Sequence, residues 1–106
     1  MRILCIGDSN TWGYVPGEDG VRTEKRWTNL LAELRPNDTI IEEGLCGRTV
    51  IAKDTIVPVR CGIDTLPILM LSHVPVDLVI IMLGTNDLKK QFNPSAKHIA
   101  RGVEEY

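Results

Sequence analysis

Apolar residues follow two periods along this chain, and glycine, proline or asparagine stands wherever the period changes. Residues 2–6, with Ile3-Leu4-Cys5-Ile6 unbroken, read as a short buried strand. Glycines at 7, 13, 17 and 20 with Pro16 then mark residues 7–20 as a long loop with no helical or strand period. Thr23 reads as an N-cap with Glu24 in the first turn, and Trp27, Leu30, Leu31 and Leu34 recur at i, i+3, i+4 and i+7, a one-faced helix closed by Pro36. Residues 38–43 offer a second strand around Ile40 and Ile41, and residues 44–62, mixed in character, read as an irregular loop. Asp64 caps a short helix carrying Leu66, Leu69 and Met70, which His73-Val74-Pro75 ends. Residues 77–83 are continuously apolar after Asp77, as expected of a central parallel strand covered on both faces, and Gly84-Thr85-Asn86-Asp87 breaks them. Asn93 and Pro94 read as N-cap and first residue of a last helix, with Ala96, Ile99, Ala100 and Val103 on one face. No glycine, proline or basic turn closes that helix. The expectation is that residues 1–106 are the N-terminal portion of a single domain.

Strands alternating with helices imply a parallel sheet with right-handed crossovers, for which we expect the strand order 2-1-3. In such sheets the functional crevice lies at the carboxyl ends of the strands. The loops after Ile6, Glu43 and Leu83 all leave from that edge.

Composition narrows the function classes. Of 106 residues, 43% are hydrophobic and 25% charged, ordinary for a globular domain, and a net charge of −2 gives no electrostatic footprint for nucleic acid or anionic lipid. The longest apolar run, residues 78–83, is far short of the roughly 20 residues that span a bilayer. With no signal-peptide layout at the start, the expected location is cytoplasmic. Cys5, Cys46 and Cys61 are an odd number without CxxC spacing, so neither a disulfide framework nor a zinc site is indicated. Asp8 and Asp87 could bind a divalent metal only with a third ligand, and no metal or cofactor is expected.

The candidate chemistry centres on Ser9, a hydroxyl where the first strand ends. A serine nucleophile needs a base to remove its proton and donors to hold the oxyanion of a tetrahedral intermediate. The backbone N–H groups of Ser9 and Gly44 and the side-chain amide of Asn86 could supply three donors; glycine leaves room for substrate, and a neutral amide donates without adding charge. Each motif alone has a blander reading, Asp8-Ser9 as an Asx turn or helix cap and residues 84–87 as turn chemistry. Their convergence on one sheet edge favours an enzyme. Trp12 and Tyr14, following the serine, either line an acyl pocket or pack, whereas Trp27, at helical spacing, reads as core and Cys46 as a small packing residue.

Gly7-Asp8-Ser9, Gly44 within Glu42-Glu43-Gly44-Leu45-Cys46-Gly47-Arg48-Thr49, and Gly84-Thr85-Asn86-Asp87 resemble the first three sequence blocks of the SGNH hydrolases, also called GDSL esterases and lipases. The wording around them is most similar to the bacterial arylesterase and acyltransferase branch. The resemblance implies a flavodoxin-like three-layer α/β/α sandwich with its C-terminal portion missing here, Ser9 as nucleophile, and Ser9, Gly44 and Asn86 as the oxyanion hole. It also implies a small ester substrate and frequent homo-oligomers. Asn10 stands where the family name has leucine, and the fourth block, an Asp-x-x-His supplying the base and its acid, does not occur in the 106 residues. His73 precedes the third strand and should lie at the amino edge, about 20 Å of strand from Ser9, as a structural residue. His98, one turn into the last helix, flanks the apolar face with no evident acid partner. The expected function is serine-dependent ester hydrolysis or acyl transfer, impaired in this chain for want of a base. The alternative is a non-catalytic α/β module for ligand binding or oligomerisation, because a third strand left at the sheet edge would invite pairing.

Overall fold

The computed structural model describes residues 1–106. Strands β1 (Arg2–Gly7), β2 (Thr39–Gly44) and β3 (Leu78–Met82) pair in parallel in the order β2-β1-β3, as the alternation of elements predicts. β1 takes the centre because it is apolar on both faces: Ile3, Leu4, Cys5 and Ile6 are all buried. The register runs from Arg2↔Thr39 to Gly7↔Gly44 on one side and from Ile3↔Leu78 to Gly7↔Met82 on the other. Gly7, Gly44 and Met82 therefore end their strands side by side.

Successive residues of β2 face opposite sides of the sheet, and each meets a different helix. Glu42 is held by Arg26 and Thr28 at the start of helix α2 (Trp27–Leu34), with Arg26 Nε 2.8 Å from its carboxylate. Glu43, on the other face, meets His73 at the end of helix α3 (Gly62–His73), Oε1 to Nε2 2.6 Å. Helices on both faces make the three-layer α/β/α arrangement. No helix is long and apolar enough to cross a membrane.

The local starts of the helices differ from the sequence expectation, each for a visible reason. Residues 7–20 are not loop throughout: Ser9–Trp12 form a single-turn helix, α1, too short to leave a period in the sequence. Thr23 does not cap α2. Its N–H donates to Gly13 O at 2.7 Å and its hydroxyl accepts from Lys25 N, so it is pinned beside the Tyr14↔Arg22 bridge and the helix begins only at Trp27. Asp64 lies inside α3, which already starts at Gly62, and is paired with Lys53 at 2.5 Å. In helix α4 (Ala96–Glu104) the cap is Ser95, whose hydroxyl accepts from His98 N at 3.1 Å. Asn93 has φ 41°, the left-handed region, incompatible with the extended conformation a cap requires. β3 was expected to be a central strand covered on both faces; it is an edge strand paired with β1 alone, and its end residues Leu78 and Met82 are exposed.

The Arg26–Glu42 pair gives the fold an acid-sensitive tie. The hydrogen bond from Arg26 holds the Glu42 carboxyl below its usual range, outweighing the opposing effect of burial, with Thr28 adding to it. A depressed folded value contributes stability above about pH 4.3, the ordinary glutamate value, and loses it as the pH falls through the folded one. Melting curves from pH 7 to 3 should show wild type losing more thermal stability than Glu42→Gln, and parallel curves would refute this role.

Candidate active site

Ser9 is the first residue of α1, directly beyond the carboxyl end of β1. Asp8 caps the turn: its carboxylate accepts from Asn10 N at 3.0 Å, and its carbonyl accepts from Thr11 N and Trp12 N. The cap reading of Asp8-Ser9 and the nucleophile reading are thus compatible, since the cap is Asp8 and the Ser9 side chain, half-buried, takes no part in it. First-turn N–H groups have no partner within a helix; those of Asn10 to Trp12 are satisfied by Asp8, which leaves that of Ser9. Gly7 is required here, because a Cβ would lie 2.6 Å from Thr11 Cβ.

Gly44 closes β2 against the same turn. A Cβ on Gly44 would sit 2.6 Å from Trp12 Cα and 2.7 Å from the Thr11 carbonyl carbon, so only glycine lets α1 lie down on the strand end. Leu45 N donates to Gly7 O at 3.1 Å. Because N–H groups alternate sides along a parallel strand, that bond turns the Gly44 N–H away from β1 and off the free edge of the sheet.

Asn86 opens a 3-10 turn, Asn86–Leu88, four residues beyond Met82. Its Nδ2 donates to Arg48 O at 3.1 Å, leaving the second N–H of the amide uncommitted. Asp87 beside it is buried, with Oδ1 accepting from Val50 N at 2.8 Å and Oδ2 from Ile51 N and Ala52 N at 3.3 Å each. These three donors occupy both oxygens, so the Asp87 carboxylate ties the loop after β2 to the loop after β3. Asp8 and Asp87 are each spent on backbone N–H groups, and no cluster of three His, Cys, Asp or Glu side chains forms.

Arg48 is the residue that sequence reasoning passed over. It is 4% exposed, and its Nη1 donates to Glu43 O at 2.5 Å and Gly7 O at 3.3 Å, while its Nε is buried without a partner. Burial pulls its pKa down, and the negative charges of Glu43 and Asp8 oppose that. An arginine in a loop ordinarily reads as solvated, and nothing in the spacing of residues 44–62 marks it as buried.

The remaining candidates fall elsewhere. The His73 ring pairs with Glu43, while its carbonyl accepts from Arg2 Nη2 at 3.1 Å near the amino end of β1. His98 is exposed on α4 and borders a cavity of about 230 Å³ lined also by Lys53, Asp87, Gln91 and Phe92. Trp12 lies under the Arg22 guanidinium, 5.2 Å from ring centre to Cζ, and its carbonyl accepts from Arg22 Nε at 2.6 Å. Tyr14 pairs with Arg22 across an isolated antiparallel bridge and is exposed. Neither aromatic lines that cavity. All three cysteines are free; burial pushes Cys5 up to about 11, and Cys61 is also raised by burial, so neither is a thiolate near neutrality.

The sequence profile of the GDSL-like lipase/acylhydrolase family matches residues 5–105. Among solved structures, the aryl esterase of M. smegmatis is 48% identical with a TM-score of 0.89, over 97% of this chain and 51% of that one. Est24, a carbohydrate acetylesterase from Sinorhizobium meliloti, is 44% identical with a TM-score of 0.89, over 96% of this chain and 50% of its own. AlinE4, an esterase of the SGNH-hydrolase family, is 26% identical with a TM-score of 0.70, over 96% of this chain and 48% of its own. The chain spans about half the length of these structures. No curated protein sequence matches it.

Proposed function

Given that the chain belongs to the GDSL-like lipase/acylhydrolase family, we propose that Ser9 is the nucleophile of a carboxylic ester hydrolase acting on small esters, through an acyl-Ser9 intermediate. The observation that supports this reading is the close packing of α1 on the end of β2 at Gly44, with Ser9 the first residue of α1 directly beyond β1 and Asn86 beyond the same edge of the sheet. Ser9 Oγ attacks the ester carbonyl carbon and gives up its proton to a base. The carbonyl electron pair moves onto oxygen, where the N–H groups of Ser9 and Gly44 and the free amide N–H of Asn86 hold it. Collapse breaks the bond to the alcohol, which leaves with a proton, and water or a second alcohol then releases the acyl group. Water gives hydrolysis and alcohol gives acyl transfer. That the similar Est24 is a carbohydrate acetylesterase favours a short acyl group.

The base is the open element. The residues three before His73 and His98 are Met70 and Ser95, so neither histidine sits in an Asp-x-x-His, and His73 is engaged by Glu43. We therefore expect residues 1–106, as one portion of a single domain, to turn over esters slowly, with oxyanion stabilisation and binding as the residual advantage over water. A p-nitrophenyl phosphonate tests the reading without needing turnover. Attack at phosphorus forms a stable Ser9–O–P bond and releases p-nitrophenolate, and intact-mass spectrometry with peptide mapping should find one equivalent on Ser9. No adduct, or an adduct equally abundant on other serines, would favour the second reading, a non-catalytic small-ligand module.

Homo-oligomerisation is a further part of the proposal. β3 is an edge strand with Leu78 and Met82 exposed, and such an edge offers unpaired backbone groups to a second copy. Light scattering should show dimers or larger species that persist on dilution; a monomer at all concentrations would refute it.

A further inference from the structure

We infer that Thr11 and Trp27 are positioning residues for Ser9: the Trp27 indole N–H, bound to a buried hydroxyl on the far side of α1, sets the rotation at which the turn presents its serine. This rests on the reading of Ser9 as nucleophile proposed above. α1 is a single turn, Ser9–Trp12, and one turn spends more conformational freedom than its own hydrogen bonds return. Its orientation is therefore imposed by its neighbours. Gly7 and Gly44 set how closely the turn lies on the strand ends, but a glycine offers no side chain to fix how the turn is rotated. Thr11 supplies that fixing point. Residues two apart on a helix stand roughly 200° apart around its axis, so Thr11 points away from Ser9, and it is wholly buried where Ser9 is half-buried. Its hydroxyl fills the space kept open at Gly7, where a Cβ would collide with Oγ1, and it accepts from Trp27 Nε1 at 3.0 Å.

Trp27 is itself anchored. It is the first residue of α2, and its neighbours Arg26 and Thr28 both bond the Glu42 carboxylate of β2. The tie thus runs from β2 through the start of α2 to the back of the nucleophile turn. A hydrogen bond has a preferred direction as well as a distance, so it fixes a rotation that apolar contact leaves soft. Folding alone gives little reason for this bond. A neutral hydrogen bond adds little net stability, and exchanging both partners for apolar groups of the same shape can be neutral; valine has the shape of threonine. A displaced nucleophile is costlier, since a misplacement of about 1 Å at a reacting atom can slow a reaction about 100-fold. Neither residue touches the substrate in this account. Trp27 acts through Thr11, and Thr11 acts through the turn.

The test uses the 106-residue chain, a p-nitrophenyl phosphonate, and the variants Thr11→Val, Thr11→Ser, Trp27→Phe and Thr11→Val with Trp27→Phe, with melting curves to select those that fold. Thr11→Val keeps the shape and removes the hydroxyl. It should slow the limiting rate of Ser9 labelling about tenfold while leaving the half-saturating phosphonate concentration unchanged, a part of the loss that a full 1 Å misplacement brings. Thr11→Ser loses a buried methyl and should melt a few degrees lower, yet it keeps the hydroxyl and should label within about twofold of wild type. Trp27→Phe should slow labelling as Thr11→Val does, and adding it to Thr11→Val should cost no more than about twofold further, because the bond is already gone. A merely structural tie would make labelling follow melting temperature, with Thr11→Ser slowed as much as Thr11→Val; that result, or equal rates in every variant, overturns the inference. A second arm is independent of labelling: in 1H–15N spectra of Thr11→Val, the Ser9 and Asn10 amides should shift more than those of Ile40 and Ile41 in β2. Unmoved Ser9 and Asn10 signals overturn the positioning role, whereas failure of wild type to label, with those signals shifted, counts against the serine reading and leaves the control of α1 by Thr11 supported.

Discussion

Gly44→Ala is expected to lower the melting temperature by roughly 10–20 °C, corresponding to about 3 kcal/mol in a domain of this size. The reason is what the added methyl would strike. Overpacking is often relieved by a side chain changing rotamer, but the atoms within 3 Å of this Cβ are Trp12 N, Trp12 Cα and the Thr11 carbonyl carbon, all backbone. To make room, α1 must lift from β2 as a unit, and it carries Ser9 at its first position. The substitution should therefore reduce phosphonate labelling of Ser9 as well as stability, with labelling falling even at temperatures where the fold survives. Gly17→Ala is the matched control. Gly17 has φ 81°, so alanine there is strained by about 1 kcal/mol, yet its Cβ meets nothing within 4 Å, and labelling should be unchanged. A Gly44→Ala chain that melts within a few degrees of wild type would mean that α1 does not rest on the strand end.

That close approach also shows why some of this molecule could be read from sequence and some could not. The sheet order was legible because β1 is apolar at every interior position and the connections are long enough for right-handed crossovers, which leaves Ile3 to Ile6 at the centre. Gly44 was read as leaving room for substrate and Gly7 only as the end of the strand, whereas in the fold the space beside both is taken by α1. Helix starts were not legible, because they depend on contacts distant in sequence. Thr23 has the chemistry of a cap, but Gly13 O holds its N–H, and Asn93 has it too, but φ 41° puts it in the wrong conformation. The place of β3 was misread for another reason: an unbroken apolar run signals a central strand, yet β3 pairs with β1 alone and leaves Leu78 and Met82 exposed. Among the candidate site residues, Ser9, Gly44 and Asn86 reach the same edge because each stands at, or within four residues of, the carboxyl end of a strand. The elements behind them, Arg48 and Asp87, could not be found by spacing, since their partners are backbone groups that any residue type supplies.

Asp87 is where removing one side chain should cost most. Its carboxylate accepts three backbone N–H groups, from Val50 at 2.8 Å and from Ile51 and Ala52 at 3.3 Å, and the residue is 1% exposed. Asp87→Ala leaves three donors in a cavity they cannot easily escape, and we expect a loss of about 3–5 kcal/mol, read as a shift in the urea midpoint. Asp87→Asn should recover less than half of that. An amide oxygen can keep the bond to Val50, but the amide nitrogen then faces Ile51 N and Ala52 N, donor against donor. The damage should travel along the loop, because Val50 O accepts from the Tyr106 hydroxyl at 2.7 Å and Ile51 O from the Cys61 thiol at 3.5 Å. Hydrogen exchange locates the effect: the Val50 amide should lose its protection in Asp87→Ala while the amides of β1 keep theirs in proportion to the global loss. If Val50 instead exchanges no faster than β1, the loop is held by something other than the carboxylate.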